Sequence, residues 1–192
     1  MPWYELTKVV HYLGLIALVG FFIIYSRVGP RLRAATDMKE VRVLLGLLDL
    51  ARPMMPGGAV MLLLSGLAMV AMRWKGPYPF VTVGFIALIV IWTGVAIVGG
   101  RHLRAMHSAA GTSEGAVPAE LARVILDPRP WATLFALNTT ALGVLVVMTT
   151  KFGWAWAIGV VVVMAALGAF VGASMVKRDR EKVGVVARAV NA

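Results

Sequence analysis

Long apolar runs separated by short polar breaks dominate the chain. Five of them meet the roughly 20 residues a helix needs to cross about 30 Å of hydrocarbon. They run over about Trp3–Val28, Pro53–Trp74, Phe80–Gly100, Trp131–Thr150 and Trp154–Val176. Gly29-Pro30 follows the first, Lys75-Gly76-Pro77-Tyr78-Pro79 divides the second from the third, and Lys151-Phe152-Gly153 forms a tight hairpin between the last two. Trp3, Tyr4, Trp74, Tyr78, Trp131, Trp154 and Trp156 stand at span ends, where aromatic rings anchor helices at the membrane interface. The pattern predicts an all-α, polytopic membrane helix bundle forming a single transmembrane domain over residues 1–192. Met1–Val28 reads as a retained helix rather than a cleaved leader: it lacks a positive leader segment, carries Glu5 and has too long an apolar run.

The polar stretches contain further helices. Asp37 is placed as an N-cap, with Glu40 three residues on and Val41, Leu44, Leu45 and Leu48 at helical spacing, which predicts an interfacial helix ending at Arg52-Pro53. Gly111–Pro130 opens with Gly-Thr-Ser-Glu-Gly and carries a short helix from Pro118 to Leu126 before Asp127-Pro128-Arg129-Pro130 breaks it. The tail Lys177–Lys182 is expected to be a solvated run of charge against anionic head groups.

Composition agrees with a membrane location: 60% of residues are apolar and only 15% charged, against roughly 25% in soluble domains. The net charge of +10 then reports orientation. With five alternating spans, fifteen of the nineteen Lys and Arg fall on the side of Arg27–Arg52, Arg101–Arg129 and Lys177–Arg188. Lys8, Arg73, Lys75 and Lys151 fall on the other. By the positive-inside rule the N-terminus lies outside and the C-terminus in the cytoplasm. This accounts for the charge without a nucleic-acid partner. Cysteine is absent, so disulfides, zinc knuckles, iron–sulfur clusters and thiol catalysis are excluded.

Polar side chains inside spans are costly in lipid and therefore informative. Spans two to five carry no charged residue or histidine deep in the hydrocarbon, which argues against a proton-driven transporter or a charged filter. His11 lies about 10 Å along the first helix from Tyr4, too short to reach the interface as Lys8 can. It is satisfied either by a hydrogen bond to a neighbouring helix or by a metal. Met69 and Met148 fall in the same leaflet, and thioether with imidazole suits haem iron or Cu(I). Met is equally a common filler of apolar helices. Met54, Met61 and Met72 share a helix face with Gly58, Ser65 and Ala68, which predicts a close helix–helix contact. His102 and His107, five residues apart, do not form a metal-binding pair and lie on the opposite side from His11. In Asn138-Thr139-Thr140, mid-span, Asn138 needs a partner and predicts an interhelical hydrogen bond, with the lining of a ligand cavity as the alternative, and Gly168 with Gly172 predicts a tight contact within the chain or in a homo- or hetero-oligomer.

The run Trp3-Tyr4-(x3)-Lys8-(x2)-His11-(x2)-Gly14-(x5)-Gly20 followed by Pro30-Arg31-Leu32 resembles the opening of the copper-resistance-protein-D superfamily, which includes the HemJ protoporphyrinogen oxidases. Similar segments are Arg52-Pro53-Met54-(x9)-Leu64-Ser65-Gly66-Leu67, Gly100-Arg101-His102-Leu103 and Arg123-(x3)-Asp127-(x2)-Pro130, which together extend the likeness from about Trp3 to Lys151. The resemblance implies a bundle of the bacterial inner membrane holding haem b, with His11 and His102 at the superfamily's histidine positions. Ala17-Leu18-Val19 and Thr82-Val83-Gly84 stand where the oxidases carry a Trp and a Lys, so the chain resembles the superfamily's other integral membrane proteins more. Three functions follow: a haem b- or copper-associated protein of redox or metal-handling type with His11, Met69 and Met148 as candidate ligands, an accessory subunit of a larger membrane complex, and porphyrinogen oxidation.

The charge asymmetry makes a direct prediction. A reporter active only in the cytoplasm should give signal when fused at Ala192 and none when placed in Gly76–Pro79; the reverse pattern refutes the orientation.

Overall fold

The computed structural model describes residues 2–73, 78–151 and 153–190. The expected roles of Trp74, Lys75-Gly76-Pro77 and Phe152 in span breaks and anchoring lie outside these described residues. The elements are α1 (Pro2–Ala34), α2 (Met38–Ala51), α3 (Met54–Arg73), α4 (Pro79–Gly94), a π-helical turn (Val95–Gly99), α5 (Gly100–Ala110), α6 (Ala119–Ile125), α7 (Pro128–Thr150) and α8 (Trp154–Val190). No strand occurs among the described residues, and five helical stretches are long and apolar enough to cross a membrane. The chain is an all-α polytopic bundle.

The helices extend beyond the predicted spans for identifiable reasons. α1 does not stop at Gly29-Pro30 but continues through Pro30 to Ala34. An internal proline removes one backbone hydrogen bond, yet Val28, Gly29, Leu32 and Arg33 are all buried there, and that packing holds the last turns in helical form. Asp127-Pro128 ends the loop and also starts the next helix. The Asp127 carboxylate accepts from the Arg129 N–H at 3.0 Å and proline fits the first turn, so α7 begins three residues before Trp131. The charged tail is exposed at Lys177, Arg178, Arg180 and Glu181, as a solvated run should be, but it is helical and tied back to the bundle. α8 continues through it, Asp179 pairs with Arg33 and Arg180 Nε donates to Leu126 O at 2.7 Å.

α2 forms as its pattern predicts. Asp37 caps it by accepting from Lys39 N at 2.6 Å, and Val41, Leu44, Leu45 and Leu48 are buried. Its outer face carries Val43, Leu47 and Leu50, all exposed, as suits a helix lying at a lipid boundary. The loop before α6 is fastened to the α1–α2 turn: Met38 N donates to Gly115 O at 2.8 Å, Val117 N to Thr36 O at 3.2 Å and Arg42 Nη2 to Ser113 O at 2.5 Å.

α1 lies against α3, and α7 against α8, through small residues. A methyl group added to Gly58 would come within 2.8 Å of Gly14 O, and one added to Gly172 within 2.9 Å of Ala132 Cα. At Gly168 the added group would collide with Thr139 Oγ1 and Phe135 O. The interhelical hydrogen bond expected of Asn138 is made instead by its neighbour Thr139, whose Oγ1 donates to Met164 O at 2.6 Å, while Asn138 lines a shallow hollow beside Phe21 and Tyr25. Met54, Met61, Gly58 and Ser65 all face α1 in the seam; Met72, on the same stripe, is exposed.

Overpacking a tight contact costs about 1–3 kcal/mol, and each kcal/mol moves the midpoint of a chain this size by roughly 2–4 °C. Gly168→Leu with Gly172→Leu should therefore lower the melting temperature in detergent by several degrees. Gly159→Leu, on α8 where an added group meets nothing within 4 Å, should not. Equal melting of the two variants would refute the packing role.

Candidate functional site

Two groups of polar side chains lie within the bundle, one in the α1–α3 seam and one at the end where α1 finishes. In the seam, the backbone contact at Gly14 and Gly58 brings α3 close enough for Ser65 Oγ to lie 3.0 Å from His11 Nδ1. The Ser65 hydroxyl donates to Met61 O, one turn back on its own helix. With its proton so used, Ser65 accepts from His11, which places the hydrogen on Nδ1 and makes Nε2 the ring's acceptor nitrogen. The hydrogen-bonded reading of His11 is therefore what the structure displays, and it is compatible with a ligand at Nε2. Lys8, one turn earlier, pairs with Glu5 at 2.6 Å.

The two candidate thioethers are placed differently. Met69 follows Ser65 by four residues, one turn along α3 on nearly the same face, about 6 Å along the axis. Met148 belongs to another contact: it packs against Phe80, Val83, Val147 and Ala157, and its methyl fills the space beside Gly84 on α4. Among the described residues no group of three or more His, Asp or Glu side chains could hold a metal ion.

The second group surrounds Trp131. Its position at a span end predicts an interfacial anchor, but Trp131 is fully buried and its indole N–H donates to Ile125 O at 2.7 Å. Trp3, Trp154 and Trp156, at the opposite end, are exposed as anchors should be. Gly29 admits the ring, since a methyl there would come within 2.6 Å of it. The Arg33 guanidinium lies over the indole face with Cζ 4.8 Å from the ring centroid, and its Nε binds Asp179 at 2.7 Å. His102 meets the same indole edge-on at 5.4 Å, and Tyr25 at 5.7 Å. Tyr25 Oη, Arg33 Nη1 and His102 Nε2 are enclosed without a hydrogen-bond partner among the described residues. His102 and His107 diverge as expected: His107 pairs with Asp49 at 2.9 Å, tying α5 to α2.

Sequence reasoning passed over Tyr25, Arg33 and Asp179. A signal was available for α1, because Tyr25, Gly29 and Arg33 recur every four residues and share a face. No local pattern marks Asp179, 146 residues away from its partner.

Arg33 is 1% exposed at its side chain, so removing its carboxylate strands a buried charge, which typically costs about 3–5 kcal/mol. Asp179→Asn should thus lower stability sharply, and the double variant Arg33→Met with Asp179→Leu should recover much of the loss in thermal unfolding. Additive losses in the two single variants and the double would refute the pairing.

Compared with protein-family models, curated proteins and solved structures, the chain matches none.

Proposed function

We propose that this integral membrane protein handles a redox-active metal at His11, with copper the ion its donors suit best. One observation carries the reading: Ser65 holds the Nδ1 side of the imidazole, which makes Nε2 the ring nitrogen able to ligate an ion. Metal-binding histidines characteristically donate their other ring N–H in this way, which fixes both tautomer and ring orientation. Met69, one turn along α3 from Ser65, is the available soft donor, and imidazole with thioether suits Cu(I). Met148, in the α4–α7 contact, is the weaker candidate.

Haem b fits these residues less well. Backbones of α1 and α3 touch at Gly14 and Gly58, one turn from His11, and leave no slot for a porphyrin between the two helices. This also counts against porphyrinogen oxidation at His11. A bound copper ion would supply one-electron chemistry or be the cargo itself. The chain's own contribution is to exclude water, orient the imidazole and hold its proton on Nδ1. The proposed setting is a bacterial inner membrane, with His11 toward the outer surface and the basic end toward the cytoplasm. An accessory role in a larger complex is the second reading, favoured by the outer side of α8, where Leu167 and Phe170 are exposed among the described residues.

The test is Cu(I) competition titration of the purified protein, with haem b titrated in parallel by visible absorption. Wild type should bind Cu(I), His11→Ala should abolish binding, and Ser65→Ala should weaken it roughly 10–100-fold through loss of the orienting hydrogen bond. A Soret band that His11→Ala removes would replace copper by haem b. Absence of both would refute the metal reading and leave His11 as a structural hydrogen-bonding residue.

A further inference from the structure

At the basic end of the bundle a cavity of about 220 Å³ separates α1 from the π-helical turn. Phe21 and Tyr25 form one wall, Met55 and Pro56 of α3 another, and Trp92 and Leu103 close the far side. Its origin is legible in the chain. The π turn inserts an extra residue into the α4–α5 helix, and Ala96, Gly99 and Gly100, which face the gap there, are too small to fill it. An apolar cavity of about 150 Å³ already suffices to bind benzene. This one is larger.

Arg52 gives the cavity a polar end. It lines the opening at the junction of α2 and α3 and is exposed. Among the described residues its guanidinium makes no hydrogen bond or ion pair. The acid that helical spacing offers it is Asp49, three residues earlier, and His107 already holds that carboxylate. The surroundings are positive as well, with fifteen Lys and Arg against eight acids on this side of the chain. An unpaired guanidinium at the mouth of an apolar cavity matches an amphiphile: an anionic head at the interface and one apolar chain directed inward.

We infer that this cavity binds a single apolar chain bearing an anionic head group, whose carboxylate or phosphate pairs with Arg52. The chain enters sideways from the membrane past Ala96, which is exposed at the cavity rim. The head is held where α2 meets the interface. The inference does not depend on a metal at His11, which belongs to the opposite end of the bundle. Two sources offer this chemistry, a free fatty acid and an anionic phospholipid.

The test uses the full chain in nanodiscs of phosphatidylcholine, titrated with radiolabelled dodecanoate and, in parallel, with dodecanol. Dodecanoate should bind saturably with about one site per chain, and Arg52→Gln should weaken it roughly tenfold to a hundredfold while leaving dodecanol unchanged. Ala96→Phe, which fills the cavity, should abolish binding of both; Ala96→Leu serves the same purpose if the larger substitution lowers the melting temperature. Adding phosphatidylglycerol to the discs assigns the source: competition with dodecanoate identifies the phosphate head, and no competition the carboxylate. Non-saturable dodecanoate binding, or binding indifferent to both Arg52→Gln and Ala96→Phe, overturns the inference.

Discussion

Close approach of helix backbones at glycine governs this molecule. Lipid is as apolar as leucine, so apolar side chains alone give helices little reason to associate in a membrane, and van der Waals contact at small residues takes that role. Gly14 against Gly58 joins α1 to α3, and Gly168 with Gly172 join α8 to α7. Both contacts also place polar groups. The first sets Ser65 beside His11, and the second brings Thr139 within 2.6 Å of Met164 O. A wider helix separation would take Ser65 away from the His11 ring and Thr139 away from Met164 O, leaving the two hydroxyls only the carbonyls of their own helices.

The two ends of the bundle are built on different chemistry. At the end holding the N-terminus of α1, exposed Trp3, Trp154 and Trp156 suit the interface, and the polar content is the modest His11–Ser65 pair one layer in. At the other end, α2, α5 and α6 cap the bundle and bury a second core that includes Trp131, Leu45 and Met106. Arg33 stacks on Trp131 and reaches Asp179, so the last helix is tied to the first by a buried ion pair and an aromatic face together. Three enclosed polar atoms around this ring have no partner among the described residues, and each such group carries a desolvation cost. The neighbouring cavity is lined at the π turn by Ala96, Gly99 and Gly100, which are too small to fill it.

Much of this was legible in the sequence, and the limits are physical. Hydropathy located all five membrane-crossing stretches, and the Asp37 cap with its i, i+3, i+4, i+7 pattern located α2, because both signals are local. Met54, Gly58, Met61 and Ser65 of the predicted stripe and the Gly168-x3-Gly172 motif marked contact faces, since the helical period fixes which residues share a side, whereas Met72 at the end of the stripe is exposed. What they contact was not legible. Pro30 suggests a helix end until the burial of Leu32 and Arg33 is known, Trp131 suggests an anchor until Gly29 is seen to admit its ring, and Asp179 suggests solvent until Arg33 is found beside it. In each case a tertiary contact overrides a local tendency. At the candidate site His11 was visible as a polar residue too deep to reach the interface, while the choice of Ser65 as its partner depended on the register of α1 against α3.

The central claim is that the glycine contact between α1 and α3 fixes the His11 imidazole in one tautomer, with Nε2 unprotonated. The most direct measurement is the nitrogen-15 NMR spectrum of the His11 ring in the full-length protein in lipid, without added metal. The account predicts a protonated Nδ1 and an unprotonated Nε2 in the wild type, and a mixture of tautomers once Gly58→Leu forces the helices apart. A proton on Nε2 in the wild type, or an unchanged Nδ1–H signal in the Gly58 variant, would contradict it.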